Sequence, residues 1–485
     1  MLDGISKKEN ATPSKNPEAK IADAPRTQGL TKKGPYLDSF EKKKVGRLRP
    51  RYKDVRTKIK IRKNRIKMGW FWFFASLIFL AAFTLSLAST KIFSFFSILY
   101  SLESENILVG FQNSAELRPT GGFWGSFAIW QIEKNLQNSQ ILFETNVYKN
   151  TNPLLEKTNV EPPKPLKETW PENPLGFVNA NWSFDFEQAA KTLEWYFGQA
   201  WQLENSGVIA ISSLAVIDLL KLTGPVTALD GTQINSENFT QILSQKIDTE
   251  YWQTEENKRI NEPKTILKEI SPQIIQKAKN IPILTLYRFT KKQLEEGRIL
   301  CYFSDPAREK LCQKLGISGK LAPYSKDYLS INNANLNGGK TSLNVSQSIE
   351  YRIDRAEEDN VTFLKIRREH MANSWPGILN RNFTRIITPL GSQLVSAKLG
   401  EEDITNTVEK TDEMGRTTFG FWFSTLPGET KTAEIQYLLP FSLKDNQDYN
   451  LVFQKQPGTL SEKLKVIIFD KILYEGENSK SFLKL

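Results

Sequence analysis

Residues 68–89 (MGWFWFFASLIFLAAFTLSLAS) run for 22 positions without a charge, and this segment constrains the chain more than any other. As a helix it would be about 33 Å long at about 1.5 Å per residue, enough to cross a hydrocarbon core of about 30 Å. Lys67 and Lys91 bracket it, and Trp70 and Trp72 stand where interfacial aromatics belong. A cleaved signal peptide is the main competitor, because Ser86 and Ala88 form a small-x-small pattern. Signal peptides have a short charged start and an apolar core of roughly 7–15 residues. Here 67 residues come first and the apolar core is too long, so an uncleaved signal-anchor helix is expected at 68–90.

The charge distribution orients that helix. Residues 42–67 hold fourteen Lys or Arg and one acid, Asp54, so their net is 14 − 1 = +13 and the rest of the chain sums to 11 − 13 = −2. Positive charge stays inside, which predicts a cytoplasmic N-terminus and an extracytoplasmic remainder across a cell membrane. Val55, Ile59 and Ile66 share one helical stripe, so the basic segment is expected to lie on the anionic lipids of the inner leaflet. Charge confined to one juxtamembrane block argues against a nucleic-acid partner, which needs a basic folded surface. Residues 1–41 read as a disordered cytoplasmic tail rich in Ser, Pro, Lys and Ala.

The exterior divides by pattern. Residues 107–111 and 125–132 read as strands, and 207–211 (GVIAI) reads as a strand buried on both faces. Residues 186–197, 214–222, 236–247 and 262–280 read as helices, the first with Asp185 and Gln188 at capping-box spacing and the second stopped by Gly224 and Pro225. This alternation predicts an extracytoplasmic α/β domain over 91–335. After Leu336 the apolar period becomes two, as in Phe419, Phe421, Phe423 and Ile435, Tyr437, Leu439. Seven or eight short strands are expected, forming a β-sandwich of immunoglobulin-like size over 336–485.

Few residues offer chemistry. One histidine, His370, excludes multi-histidine metal sites, and two cysteines exclude a four-thiolate zinc site, so no metal site is expected from ligand spacing. Cys301 and Cys312, eleven apart, could close a disulfide in an oxidising compartment. In 116–123 (ELRPTGGF), Pro119 presets a turn, and Gly121 and Gly122 could open a backbone nest for an anion beside Arg118. A plain turn with Arg118 paired to Glu116 explains the same residues. In 179–185 (NANWSFD), polar groups could line a site at the mouth of the sheet, or Asp185 or Ser183 could simply cap a helix. Arg259 and Lys264 precede the 262–280 helix and could contact phosphate or a solvated face.

These segments carry a resemblance. ELRPTGGFWGSFAIW (116–130), NANWSFDFEQAA (179–190), GVIAISSLAVIDLLKLTGPV (207–226) and DYLSINNANLNGGKTS (327–342) resemble the bacterial domain of unknown function 4012 family, as do LPGET (426–430) and FQKQPGT (453–459). The resemblance spans about 106–470. It implies an N-terminal membrane anchor and says little of chemistry. The order of elements is also similar to that of the LytR-CpsA-Psr phosphotransferases, membrane-anchored enzymes that attach polyprenyl-pyrophosphate-linked glycopolymers to the cell wall. That similarity implies phosphate-binding roles for Arg118 and Arg259, and a magnesium ion only if the chain is a phosphotransferase. The departures are specific: the family's Ile-Pro-Arg-Asp segment is replaced by 146–150 (NVYKN), without acid or arginine, and its Arg-x-Asp before the first long strand is missing.

The resulting expectation is an envelope protein that recognises a cell-wall glycan or a lipid-linked precursor, with glycopolymer transfer as an extension. Its candidate ligand residues are Arg118, Gly121, Gly122, Asp185 and Arg259. The alternative is a non-enzymatic scaffold or adhesion protein that meets a surface protein through its β-sandwich.

Overall fold

The apolar runs around 107 and 207 become neighbouring strands of one sheet because each can be covered on both faces. The structure, a computed structural model, describes residues 94, 97, 98, 100–336, 338–356, 359–371, 375–443 and 449–485. The expected tail at 1–41, basic segment at 42–67 and membrane helix at 68–90 lie outside the described residues. Among those described, no helix is long and apolar enough to cross a membrane.

The first sheet has five strands in the order β3-β2-β1-β4-β7: β1 (Glu105–Asn113), β2 (Phe123–Ile132), β3 (Ser139–Phe143), β4 (Gly207–Ser212) and β7 (Ile299–Phe303). β1 and β4 run parallel, while β2 and β7 flank them antiparallel. On one face Leu108, Val208, Ala210, Leu300 and Tyr302 pack with Phe186, Leu193 and Phe197 of the helix Phe186–Trp201. On the other, Ile107, Cys301 and Phe303 pack with Cys312 and Leu315 of the helix Pro306–Leu315 and with Ile98 and Leu102. A Cys301–Cys312 disulfide ties β7 to that last helix.

Helices are numbered α1 (Val147–Thr158), α2 (Lys164–Thr169), α3 (Phe186–Trp201), α4 (Ser213–Thr223), α5 (Phe239–Ser244), α6 (Glu255–Ile260), α7 (Thr265–Ala278), α8 (Ile283–Glu295) and α9 (Pro306–Leu315). The expected helix over 236–247 is shorter, because α5 passes into a π turn at Gln245–Thr249. α4, α5, α7 and the two-strand ribbon β5 (Val226–Thr227) and β6 (Gln233–Ile234) bury a core of their own around Leu220, Ile234, Phe239, Ile270 and Ile274. This helical layer stands over the ends of β1 and β4.

The C-terminal part is a sandwich of a seven-stranded and a six-stranded sheet, more strands than the spacing predicts. The six-stranded sheet contains β8 (Asp327–Leu336), β11 (Arg381–Pro389), β15 (Arg416–Trp422) and β17 (Leu451–Gln454). The seven-stranded sheet includes β9 (Val345–Ala356), β10 (Asp359–His370), β16 (Thr430–Leu438) and β18 (Glu462–Ile468). Phe419, Phe421, Ile435, Tyr437, Ile349, Tyr351 and Phe453 meet in the shared core, so the period-two alternation marks the inward faces. The sandwich already begins at Asp327, ahead of the pattern change at 336. β8 carries no alternating signal because it is buried along its whole length. Its Leu329 and Ile331 enter the sandwich core, while Ala334 and Leu336 join the core of the α/β part. The two parts belong to one compact unit.

Candidate functional site

The turn after β1 passes through Ser114 to Thr120 before β2 returns. Arg118 in this turn is wholly buried. Its guanidinium donates to Glu116 Oε1 at 3.0 Å, Asn179 Oδ1 at 3.0 Å, the Leu117 carbonyl at 3.1 Å and the Asn335 carbonyl. Burial pulls its pKa down and Glu116 pulls it back up. Of the two readings open for this segment, the pairing with Glu116 is the one present.

Around this arginine the recurring motifs meet one another. Asn181 Nδ2 donates to Thr120 Oγ1 at 2.8 Å and to the Gly122 carbonyl at 2.9 Å, joining NANW to RPTGG. Gln456 Nε2 donates to the carbonyls of Arg118 at 3.0 Å and Asn333 at 2.8 Å, and Asn333 N–H donates back to Gln456 Oε1 at 2.7 Å. Gly121 takes φ +122°, and a Cβ on Gly458 would lie 1.8 Å from its carbonyl oxygen. A Cβ on Gly122 would lie 2.6 Å from the Asn113 carbonyl carbon. These glycines allow backbone to approach backbone. The network welds the α/β part to the sandwich.

Asp185 is also buried. It caps α3 by accepting from Gln188 N–H at 3.3 Å and accepts a second bond from Leu321 N–H at 3.0 Å, while Ser183 Oγ accepts from Asp185 N–H. Arg259 lies exposed on α6, and its side chain does not join the Arg118 cluster. Sequence reasoning thus names two groups that meet, Arg118 with Gly121 and Gly122, and two that stand elsewhere.

Directly beside this weld, a cavity of about 510 Å³ opens at the C-terminal ends of β1 and β4. Its walls come from Phe111, Phe123, Phe143, Ile211, Phe239, Leu243, Leu267 and Ile270, with Trp252 at 36% exposure. Ligands gather at this end of parallel strands because the chain must leave the sheet there and open a crevice. Three of the polar lining residues stand where helices begin. Asn146 caps α1 by accepting from Tyr148 N–H at 3.1 Å; Ser213 opens α4 behind the Ser212 cap; Lys264 stands at the start of α7. All three line the cavity. Asn146 Nδ2 bonds the side chain and carbonyl of Asn261, at 2.7 and 3.0 Å, and so fixes the first helix start against the third.

Lys264 carries the electrostatics. Its ammonium lies 5.8 Å from the Tyr148 ring centroid and forms no hydrogen bond or ion pair among the described residues. Burial pushes its pKa down to about 8. Tyr148 is 41% exposed, yet loss of water around its phenol on the cavity side pushes that group up to about 12, assisted by Glu116. The two carboxylates of the lining are already committed: Glu116 to Arg118, and Asp248 to Lys340 and to Ser244 Oγ at 2.6 Å. This donor set does not fit a magnesium ion, which needs carboxylates free to coordinate. Among the described residues no group of three or more His, Cys, Asp or Glu is placed to hold a metal.

The arrangement can bind a group with an apolar body and an anionic head. Three helix starts each present about half a positive charge, and the ammonium adds a full one in a poorly solvated space. Lys264 is visible in the sequence only as a cation before a helix. Phe111, Phe239 and Leu267 look like ordinary core positions, since periodicity marks a buried face without showing that part of it stays unfilled.

No curated protein matches the chain. A putative nutrient binding protein from Legionella pneumophila is 6% identical with a TM-score of 0.21, over 29% of this chain and 54% of that one. An M1 zinc metallopeptidase from Deinococcus radiodurans is 12% identical with a TM-score of 0.16, over 26% and 32%. The chain therefore spans about half or less of either structure, and overlap this slight carries no argument about fold or activity. Residues 103–247, which contain β1 to β4, the weld turn and much of the cavity wall, match the family described as "Protein of unknown function (DUF4012)", in agreement with the motifs at 116–130, 179–190 and 207–226.

Proposed function

We propose that this chain is a single-pass, membrane-anchored extracytoplasmic protein of the bacterial cell envelope, and that it recognises a polyprenyl-phosphate-linked glycan precursor. The observation that carries the reading is the cavity at the ends of β1 and β4, apolar in its walls and electropositive where α1, α4 and α7 begin. The 22-residue apolar segment behind a +13 block supports anchoring with the folded part outside. The Cys301–Cys312 disulfide suits an oxidising compartment. In this reading Arg118, Gly121 and Gly122 act from beneath the site by holding the turn that presents Glu116 and Phe123. Asp185 holds α3, and Arg259 stands exposed on α6, ahead of the Lys264 turn. The function is recognition, and no transfer step is assigned.

The test is thermal unfolding of the full chain in detergent, with and without a polyprenyl phosphate. A ligand at about 100 times its dissociation constant should add roughly 2.7 kcal/mol of stability. An unchanged midpoint at saturating lipid would refute the reading and favour a scaffold acting through the β-sandwich.

A further inference from the structure

The cavity also limits what can fill it, and this inference rests on the lipid-binding reading above. A methylene takes about the liquid volume of a water molecule, roughly 30 Å³. The cavity, at about 510 Å³, therefore holds a single chain of roughly seventeen carbons at liquid density. That is too small for two acyl chains or for a complete long polyprenol.

The polar end is equally restrictive. Besides Lys264, the charged groups at this end are Glu116, paired with Arg118; Asp248, paired with Lys340; and Glu144, which lies behind the lining with its oxygens held by Asn146 N–H at 2.8 Å and by Asn150 Nδ2 and Trp201 Nε1 at 3.2 Å. Lys264 is the cation left over among the described residues, and it lies against the strand side of the cavity, where a Cβ on Gly125 would be 3.3 Å from its Nζ. A buried charge is tolerated when it is paired. One ammonium with three helix starts matches a single anionic group, such as one phosphate monoester at about −1.5 to −2 or one carboxylate.

We propose that the cavity selects one apolar chain segment of about fifteen to seventeen carbons bearing a single anionic head, and that Lys264 is the residue that reads the charge. For a polyprenyl phosphate this is the head-proximal three isoprene units, with the remainder outside. For a long-chain carboxylate it is nearly the whole molecule. The shared chemistry is one chain and one anion.

The test uses the full chain in detergent and follows tryptophan fluorescence while isoprenyl monophosphates of five, ten, fifteen and twenty carbons are titrated, beside hexadecanoate and hexadecanol. Affinity should rise several-fold with each isoprene unit up to fifteen carbons and then level off, because further carbons find no apolar wall. Lys264→Met should weaken the phosphates and hexadecanoate at least tenfold and leave hexadecanol unchanged, which also shows that the variant is folded; Lys264→Arg should recover part of the loss. Affinity that rises from fifteen to twenty carbons as steeply as from ten to fifteen, or anion binding unaffected by Lys264→Met, would overturn the inference. Tight hexadecanoate binding with no affinity for isoprenyl phosphates would keep it and instead sink the polyprenyl reading.

Discussion

Arg118→Ala separates the weld from the cavity, and its cost can be worked from the structure. The guanidinium is fully buried and holds four oxygens: the Glu116 carboxylate, Asn179 Oδ1 and the carbonyls of Leu117 and Asn335. Truncation leaves a carboxylate at 8% side-chain exposure without its cation and three acceptors without a donor. Removing one partner of such a pair costs roughly 3–5 kcal/mol. Domains are stable by about 5–15 kcal/mol, so the variant should lose a large fraction of its margin. Urea unfolding of the full chain, read by tryptophan fluorescence, should show the midpoint falling with the slope unchanged. Glu116→Gln should cost less, because the arginine keeps three of its acceptors. The double variant should cost less than the two singles summed, since each removes the same pair. A loss below about 1 kcal/mol for Arg118→Ala, or strict additivity in the cycle, would refute a structural role for this arginine. The same arithmetic warns that weaker ligand binding by Arg118→Ala reports folding first, whereas Lys264→Met reports the cavity.

Gly458→Ala places a Cβ 1.8 Å from the Gly121 carbonyl oxygen at φ +70°, and backbone cannot yield there; a loss of roughly 2–4 kcal/mol in urea unfolding is expected. Replacing both Cys301 and Cys312 by Ala opens a loop of sequence separation 11 and should cost about 2–3 kcal/mol by the chain-entropy relation, measured as a fall in unfolding midpoint that reductant reproduces in the native chain. Burial holds the Lys264 ammonium pKa at about 8, below the ordinary lysine value of 10.5, so the unfolded state binds more protons between those values and stability should rise with pH across that window. Lys264→Met should flatten that rise. Hexadecanoate affinity should move the opposite way, fading as pH climbs through about 8; Tyr148 stays neutral there, and the other charged groups near the amine are Glu116, Glu144, Asp248 and Lys340.

Much of the architecture is legible from local pattern. GVIAI marks a strand covered on both faces, Asp185 and Gln188 mark the start of α3, Gly224 ends α4, and the Phe419, Phe421, Phe423 alternation marks an inward sandwich face. Each signal works because secondary structure has a short period and caps need particular side chains. β8 escapes this logic, since it is buried on both sides although half of it is polar: Asp327, Asn332, Asn333 and Asn335 find hydrogen-bond partners inside the protein, so polarity there does not mark a solvent face.

The candidate site is legible only in part, and the reason is physical. The sequence alone establishes which residue types could bind an anion, so Arg118 and Lys264 are equal candidates on chemistry. Which of them is spent on the fold depends on what stands within three ångströms. Asn335 and Asn179, far from Arg118 in the chain, close around it and with Leu117 and Glu116 take four of its five N–H donors, whereas nothing described pairs the Lys264 ammonium. Likewise, Phe111, Phe239 and Leu267 are apolar by sequence, but only the placement of the α5–α7 layer over the ends of β1 and β4 leaves their faces lining a cavity instead of filling it. Hydrophobicity dictates that a side chain leaves water; the tertiary packing decides whether it meets protein or a space.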